Sequence, residues 1–227
     1  MAFSPCCLLD FIGWEWKYAM DIQVTRADPA GNITLLVEGD VPPERYAEIG
    51  ADLQRLPELR AEQTGFIQSP LYGAAGRLIM SGGEFCGNAA RAFGLFLARR
   101  NGLACGSLRI EMSGCSAPIE VLVDREAGKA YADMPLPLAV EEIELPEPMG
   151  RCPIVRFEGI WHILAVGMPA DMSVFNLVRG DVFRRFSPDA LGVMFLSEDF
   201  TVMTPIVYVA GPGTTCAESS CGSGTAA

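Results

Sequence analysis

Apolar residues along this chain fall mainly into short β-branched or apolar runs closed off by Gly, Pro, Asp or Ser, the pattern of buried or half-buried strands. Residues 33–37, 108–112, 119–123, 130–134, 154–157, 161–166, 193–196 and 202–209 read as strands on this basis, and Asp21-Ile22-Gln23-Val24 opens another directly after Met20. Two segments carry helical spacing instead. Pro43 stands where a first helical position favours it, and Tyr46, Ile49, Leu53 and Leu56 recur at helical spacing before Pro57 ends the run. The second segment covers 88–100, where Ala89, Ala92, Phe93, Leu95, Phe96 and Leu97 leave almost no polar face, so this helix is expected to be buried. Arg99 and Arg100 suit its negative end, and Asn101-Gly102 supplies its stop. Residues 134–148 combine Pro135, Pro137, Pro146 and Pro148 with a run of glutamates. Neither a helix nor a central strand tolerates that proline density, so the segment reads as a linker between two lobes. The predicted class is α+β, with short strands wrapped around a buried helix.

Composition narrows the class. The 227 residues carry 17 Lys+Arg against 28 Asp+Glu, a formal charge of −11, which suits neither nucleic acid nor an anionic membrane as a partner. Half of the residues are apolar, enough for an ordinary core. No apolar stretch approaches the ~18–20 residues of a membrane span. Eight cysteines are too few for a disulfide scaffold at this length and point to reduced thiols in a cytoplasmic protein. Residues 1–19 lack the charged start and cleavage site of a signal peptide. Glycine-rich phosphate loops and zinc-ligand spacings are both missing, so no nucleotide and no metal is expected.

One pattern occurs twice. Cys86-Gly87-Asn88-Ala89 and Cys221-Gly222-Ser223-Gly224 each read Cys, Gly, polar, small, with Glu84 or Glu218 just upstream and helix-compatible residues after. One copy in each presumed lobe is an internal pseudo-repeat. A cysteine just before a helix feels unpaired N–H groups and the positive dipole end, which favour thiolate. The glycine admits close approach of a ligand, the Asn or Ser can cap, and the free N–H groups suit a carboxylate. Two such sulfurs on opposite faces of one carbon, one removing a proton as thiolate and the other delivering one as thiol, would invert that carbon. Each sulfur would then lie about 3–3.5 Å from the carbon and about 6–7 Å from the other, well beyond the ~2.05 Å of a disulfide. Cys105, Cys115, Cys152 and Cys216 read as structural, in keeping with the usual burial of free cysteines. His162, in an alternating run, reads as a partly buried, hydrogen-bonded histidine. A cysteine–histidine hydrolase would use one motif and leave the other unexplained.

These residues resemble a known family. Glu84-Phe85-Cys86-Gly87-Asn88-Ala89-Ala90-Arg91 and Glu218-Ser219-Ser220-Cys221-Gly222-Ser223-Gly224-Thr225 are similar to the two cysteine motifs of the diaminopimelate epimerase superfamily of cofactor-independent amino-acid racemases and epimerases. Pro29-Ala30-Gly31-Asn32 is similar to its early Gly-Asn element, and Glu62-Gln63-Thr64-Gly65-Phe66, more loosely, to its Asp-Gln segment. The likeness runs from about Met20 to Ala227. It implies two pseudo-symmetric lobes, each a mostly antiparallel sheet around a central helix. It also implies Cys86 and Cys221 as the acid/base pair, Gly87, Asn88, Gly222 and Ser223 as a carboxylate cradle, and Asn32 and Gln63 as further substrate contacts. No cofactor and no metal are implied, the partner is a small amino acid, and a homodimer is compatible with it.

Departures from the family bear on the substrate. Ile79-Met80-Ser81-Gly82-Gly83 replaces the Asn-Ala-Asp-Gly-Ser run of the diaminopimelate enzymes, Ala210-Gly211-Pro212-Gly213 their Glu-Arg, and Gly159-Ile160-Trp161-His162 their Gly-Asn-Pro-His. Those elements handle the far end of diaminopimelate. The motif forms are closer to histidine racemases of opine-type metallophore pathways, so the expected activity is isomerisation of histidine, with diaminopimelate epimerisation as the alternative. A proline-racemase-like or phenazine-pathway-like isomerase or dehydratase is the alternative of another class, and a non-catalytic amino-acid-binding protein a third. The expected organisation is a non-native or disordered extension over 1–19, a first lobe over 20–137 and a second over 138–227. Because a whole helix follows the first motif and only Thr225-Ala226-Ala227 the second, the second lobe is expected to be cut short by about 40 or more residues.

Overall fold

In the computed structural model, which describes residues 10–15 and 21–227, the short apolar runs assemble into two mixed sheets. The first joins β1 (Asp10–Glu15), β2 (Asp21–Ala27), β3 (Thr34–Glu38), β4 (Gln63–Gln68), β5 (Arg77–Met80), β6 (Cys105–Met112), β7 (Ile119–Asp124) and β8 (Lys129–Ala132) in sequence order. Its neighbours are antiparallel except where a helix carries the chain back across the sheet. These crossovers are α1 (Tyr46–Gln54), between β3 and β4, and α2 (Gly87–Arg100), between β5 and β6. The second sheet joins β9 (Ala139–Leu145), β10 (Gly150–Phe157), β11 (Ile160–Val166), β12 (Ala190–Leu196), β13 (Met203–Val209) and β14 (Thr214–Ala217), again in sequence order. Its one parallel pair, β11 with β12, spans α3 (Met172–Arg185), and α4 (Gly222–Ala226) follows β14. The order β2-β3-α1-β4-β5-α2 thus returns as β10-β11-α3-β12-β13-α4 with β14 inserted, which is the pseudo-repeat in structural form.

Helices on both faces of a sheet require strands that are apolar on both faces, and the sequence supplies them. In β3, Leu35 and Val37 join Ile49 and Leu53 under α1, whereas Leu36 between them joins Ala89 and Phe93 of α2 on the opposite face. β12 repeats the arrangement. Leu191, Val193 and Phe195 pack on Phe175, Val178 and Val182 of α3, while Ala190 and Met194 cluster with Cys221. Each cysteine motif therefore lies on the sheet face opposite the first helix of its lobe, α1 or α3.

Three expectations change. Residues 139–145 form strand β9 and not part of a linker, so only 133–138 joins the sheets. β9 is an edge strand, paired with β10 alone; its Ile143 and Leu145 face inward while Pro146 and Pro148 fall just beyond its end. The helix α3 was not legible, because Phe175, Val178 and Val182 are its buried residues, a stripe too narrow for a strong periodic signal. Asp171 caps it, accepting from Ser173 N at 2.6 Å and Val174 N at 3.1 Å. The short strands β4, β5 and β14, rich in Gln, Arg and Thr, were likewise unread. The expectation for 1–19 bears mostly on residues outside this description; within it, β1 pairs with β2.

Candidate active site

Cys86 and Cys221 are the N-cap residues of α2 and α4 and share one backbone geometry, φ −134°, ψ 114° and φ −131°, ψ 112°. Each sulfur folds over the first turn and accepts the N–H three residues on, Ala89 N at 3.4 Å and Gly224 N at 3.4 Å. Both thiols are free, and both line one cavity between the lobes. The two cap turns meet there: a Cβ placed on Gly222 would lie 3.6 Å from Gly87 Cα and 3.8 Å from Asn88 N. At the rim the lobes approach more closely, since a Cβ on Gly82 would lie 2.0 Å from Val209 Cγ1. Glycine is needed there for the cleft to close.

A buried amide network backs the first thiol. Asn32, Gln63 and Asn88 are each under 7% exposed and line the same cavity. Asn32 Oδ1 accepts from Gln63 Nε2 at 2.6 Å and from Asn88 Nδ2 at 2.9 Å, and Cys86 Sγ donates to Gln63 Oε1 at 2.9 Å. Asn88 also reaches the second lobe, donating to Ser220 O at 3.1 Å. The second thiol has different support. Cys221 Sγ lies 3.6 Å from Ser223 Oγ, which in turn lies 2.8 Å from His162 Nε2. His162 is therefore fully buried, not half-buried, and its Nδ1 has no hydrogen-bond partner among the described residues. Burial pushes its pKa down to about 3, so the ring is neutral.

The electrostatics reverse one expectation. A cap position was expected to favour thiolate; instead burial, reinforced by Glu218, pushes Cys86 up to about 12 and Cys221 well above its ordinary value. The N–H of Ala89 at Cys86, and the Ser223 hydroxyl with the Gly224 N–H at Cys221, oppose this and lose, because hydrogen bonds of 3.4–3.6 Å are outweighed by loss of water. α4, at five residues, adds little dipole. The carboxyls move in the same sense: burial lifts Glu84 to about 7 and Glu218 to about 8. Among the described residues no lysine or arginine lines the cavity, so no side chain of its wall offsets them with a positive charge.

Every residue expected at the site thus lines this one cavity: Cys86, Cys221, Asn32, Gln63, Gly87, Asn88, Gly222 and Ser223. The Ser223 side chain is turned toward His162, leaving its N–H as the group available to a ligand. Sequence reasoning missed the wall formed by Glu62, Cys216 and Glu218, and the link from His162 to the second motif. The polar run Glu218-Ser219-Ser220 directly before Cys221 was the available signal. Cys152 is buried as expected, whereas Cys105 is exposed.

Two like lobes, each a mixed sheet presenting one helix-capping cysteine to a shared cleft, form the architecture of the diaminopimelate epimerase superfamily. Within it, this chain belongs to the histidine racemase family: residues 21–227 match the family described as histidine racemase CntK N-terminal domain. A histidine racemase of Fusobacterium nucleatum subsp. nucleatum is 35% identical over 214 residues, covering 89% of this chain and 77% of that protein. One from Staphylococcus aureus is 27% identical, covering 90% of this chain and 77% of that protein. Among solved structures, a sex pheromone precursor of Lactobacillus salivarius aligns over 87% of this chain and 66% of that one with 8% identity and a TM-score of 0.24, too low to bear on the fold.

Proposed function

We propose that this chain interconverts the enantiomers of histidine by two-thiol proton exchange at the α-carbon, without a cofactor. The observation that carries the reading is the pair of free cysteines that cap facing helices on one cavity. The N–H groups of Gly87, Asn88, Gly222 and Ser223, which helix geometry leaves over at each first turn, hold the α-carboxylate between the lobes. Cys221 as thiolate takes the α-proton, breaking Cα–H and forming S–H, and Cys86 gives its proton to the opposite face and becomes thiolate. The roles exchange for the other enantiomer. The substrate's α-ammonium ion, set beside Glu84 and Glu218, offsets the acidic charge that adds to burial in keeping the thiols protonated. Those carboxyls, poised near neutral pH, can hold or release a proton as the thiolate forms. Histidine as substrate is supported by the relatives of that name and by the acidic wall, which suits an imidazole N–H. On the same reading, supported by motif form and by the sparse cysteines, free among the described residues, the protein works in the cytoplasm and supplies D-histidine for metallophore synthesis.

The wild-type protein is expected to convert L-histidine to the racemate, and to leave diaminopimelate in the same panel unchanged. Cys86→Ala and Cys221→Ala are each expected to lower that rate by at least about 10²-fold, since each deletes one acid/base partner. Polarimetry showing either single variant racemising at the wild-type rate would sink the mechanism.

A further inference from the structure

Glu62 stands where the two lobes and the first thiol meet. It precedes β4 in the first lobe, yet its carboxylate accepts two donors from the second, Ser219 N at 3.1 Å and Ser219 Oγ at 2.7 Å. The same Oε2 that takes the Ser219 N–H also accepts from Asn32 Nδ2 at 2.6 Å. The contact is tight: Gly31, at φ +86°, brings its turn so near that a Cβ there would lie 3.1 Å from Ser219 Cβ.

The consequence follows by hydrogen-bond bookkeeping from donors that cannot be exchanged for acceptors. Because Oε2 of Glu62 already takes a backbone N–H, the Asn32 atom that faces it is the amide nitrogen, so Asn32 Oδ1 points the other way and accepts from Gln63 Nε2 at 2.6 Å. The Thr34 hydroxyl spends its proton on Asn32 O at 3.2 Å and so accepts the second Gln63 N–H at 2.6 Å. Both Gln63 donors are then committed, its oxygen faces Cys86, and the sulfur 2.9 Å away must be the donor. Donation therefore runs one way from Cys86 through Gln63 and Asn32 to Glu62, the common acceptor on which the Ser219 donors of the opposite lobe also converge.

We propose that Glu62 is a positioning residue that couples closure of the cleft to presentation of Cys86 as a proton donor. With the lobes closed, Ser219 completes the acceptor set of Glu62, and the aligned amides hold the Cys86 S–H ready. With them apart, Glu62 loses both Ser219 donors and the alignment of Asn32 loosens. Closure thus precedes delivery, and a carbanion formed by Cys221 meets a proton on its far face before it can recapture its own. This inference rests on the two-thiol reading.

The test is racemisation in heavy water from each enantiomer of histidine, scoring inversion against deuterium in the recovered substrate. Glu62→Ala is expected to lower the inversion kcat by about tenfold to a hundredfold, the loss of a charge-assisted hydrogen-bond set. For one enantiomer only, recovered substrate should also gain deuterium ahead of inversion, because Cys221 still abstracts while delivery by Cys86 lags. A merely structural role would lower exchange and inversion together. Glu62→Gln is expected to restore the wild-type ratio, since its oxygen can replace Oε2 and its NH2 can donate to the Ser219 hydroxyl. Ser219→Ala, which cuts the lobe contact at one point, is expected to raise KM several-fold with the exchange ratio unchanged. If Glu62→Ala melts below the assay temperature, wild-type KM and kcat in Ser219→Ala overturn the proposal. A racemising wild type whose folded Glu62→Ala keeps the wild-type exchange ratio overturns it as well. A wild type that neither exchanges nor inverts histidine overturns the two-thiol reading and this inference together.

Discussion

Replacing Glu84 by Gln should make the protein more stable at alkaline pH and leave it unchanged at acid pH. Glu84 is 6% exposed and sits two residues before Cys86, and the backbone N–H groups of Glu84 itself and of Gly82, the latter at 3.1 Å, are too little to replace the water lost on burial. Its carboxyl accordingly moves from 4.5 to about 7. A carboxyl raised in the folded state binds its proton more tightly there than in the unfolded chain. The stability it contributes is complete below about 4.5 and is lost as pH rises through about 7. At about 1.4 kcal/mol per pH unit, the loss amounts to about 3 kcal/mol. Gln keeps the shape and the acceptor but has no proton to lose. Urea unfolding of both proteins should give matching free energies at about pH 4 and a difference of about 3 kcal/mol in favour of Glu84→Gln at pH 8.5, or about 6–12 °C in Tm for a chain of this size. Titrating groups away from Glu84 cancel between the two proteins, and Glu218 and Cys86, which its charge pushes up, move the difference in the same direction. Parallel pH profiles would refute the reasoning, because they would mean that Glu84 ionises as readily inside the fold as outside it.

The neutral, buried His162 predicts a limb of opposite sign. Its pKa is depressed, so the unfolded chain takes up a proton that the native state refuses, and stability falls as pH drops below 6.5 toward about 3. Relative to His162→Gln, the wild type is expected to lose about 2 kcal/mol between pH 6.5 and 5, measured by the same melts, and a constant difference would contradict it. Gly224→Ala would set a Cβ 2.2 Å from Met194 Sδ and is expected to cost about 1–3 kcal/mol by overpacking. Met194→Ala in the same chain should relieve part of that cost, whereas strictly additive losses in the double-mutant cycle would show that the clash is absent.

How far the sequence carries the account depends on which signals are local. The segment at 88–100 is apolar nearly all round and bounded by Arg99, Arg100 and Asn101-Gly102, so α2 was legible to within a residue. The two cysteine motifs were legible because they repeat, and their convergence on one cavity needed only the pseudo-symmetry they announce. α3 was not, since Phe175, Val178 and Val182 earn their burial from a sheet formed by distant residues. β9 was misread because proline density was weighed as a property of a whole segment, whereas Pro146 and Pro148 lie outside its ladder. The thiol pKa went astray for a related reason. A helix cap is visible in sequence, but the burial that outweighs it is tertiary. The partners of Glu62 and His162, 157 and 61 residues away in Ser219 and Ser223, leave no trace in local pattern at all.

The central claim, that two thiols act on opposite faces of one carbon, is tested most directly by incubating the wild-type protein with L-histidine in heavy water and analysing each enantiomer at early conversion. A two-thiol mechanism delivers a solvent-derived deuteron from one cysteine while the abstracted proton stays on the other. Newly formed D-histidine should therefore carry deuterium at the α-carbon while recovered L-histidine keeps its proton. Deuterium entering recovered L-histidine as fast as the product, or D-histidine that retains the original proton, would mean a single base serving both faces and would contradict the account.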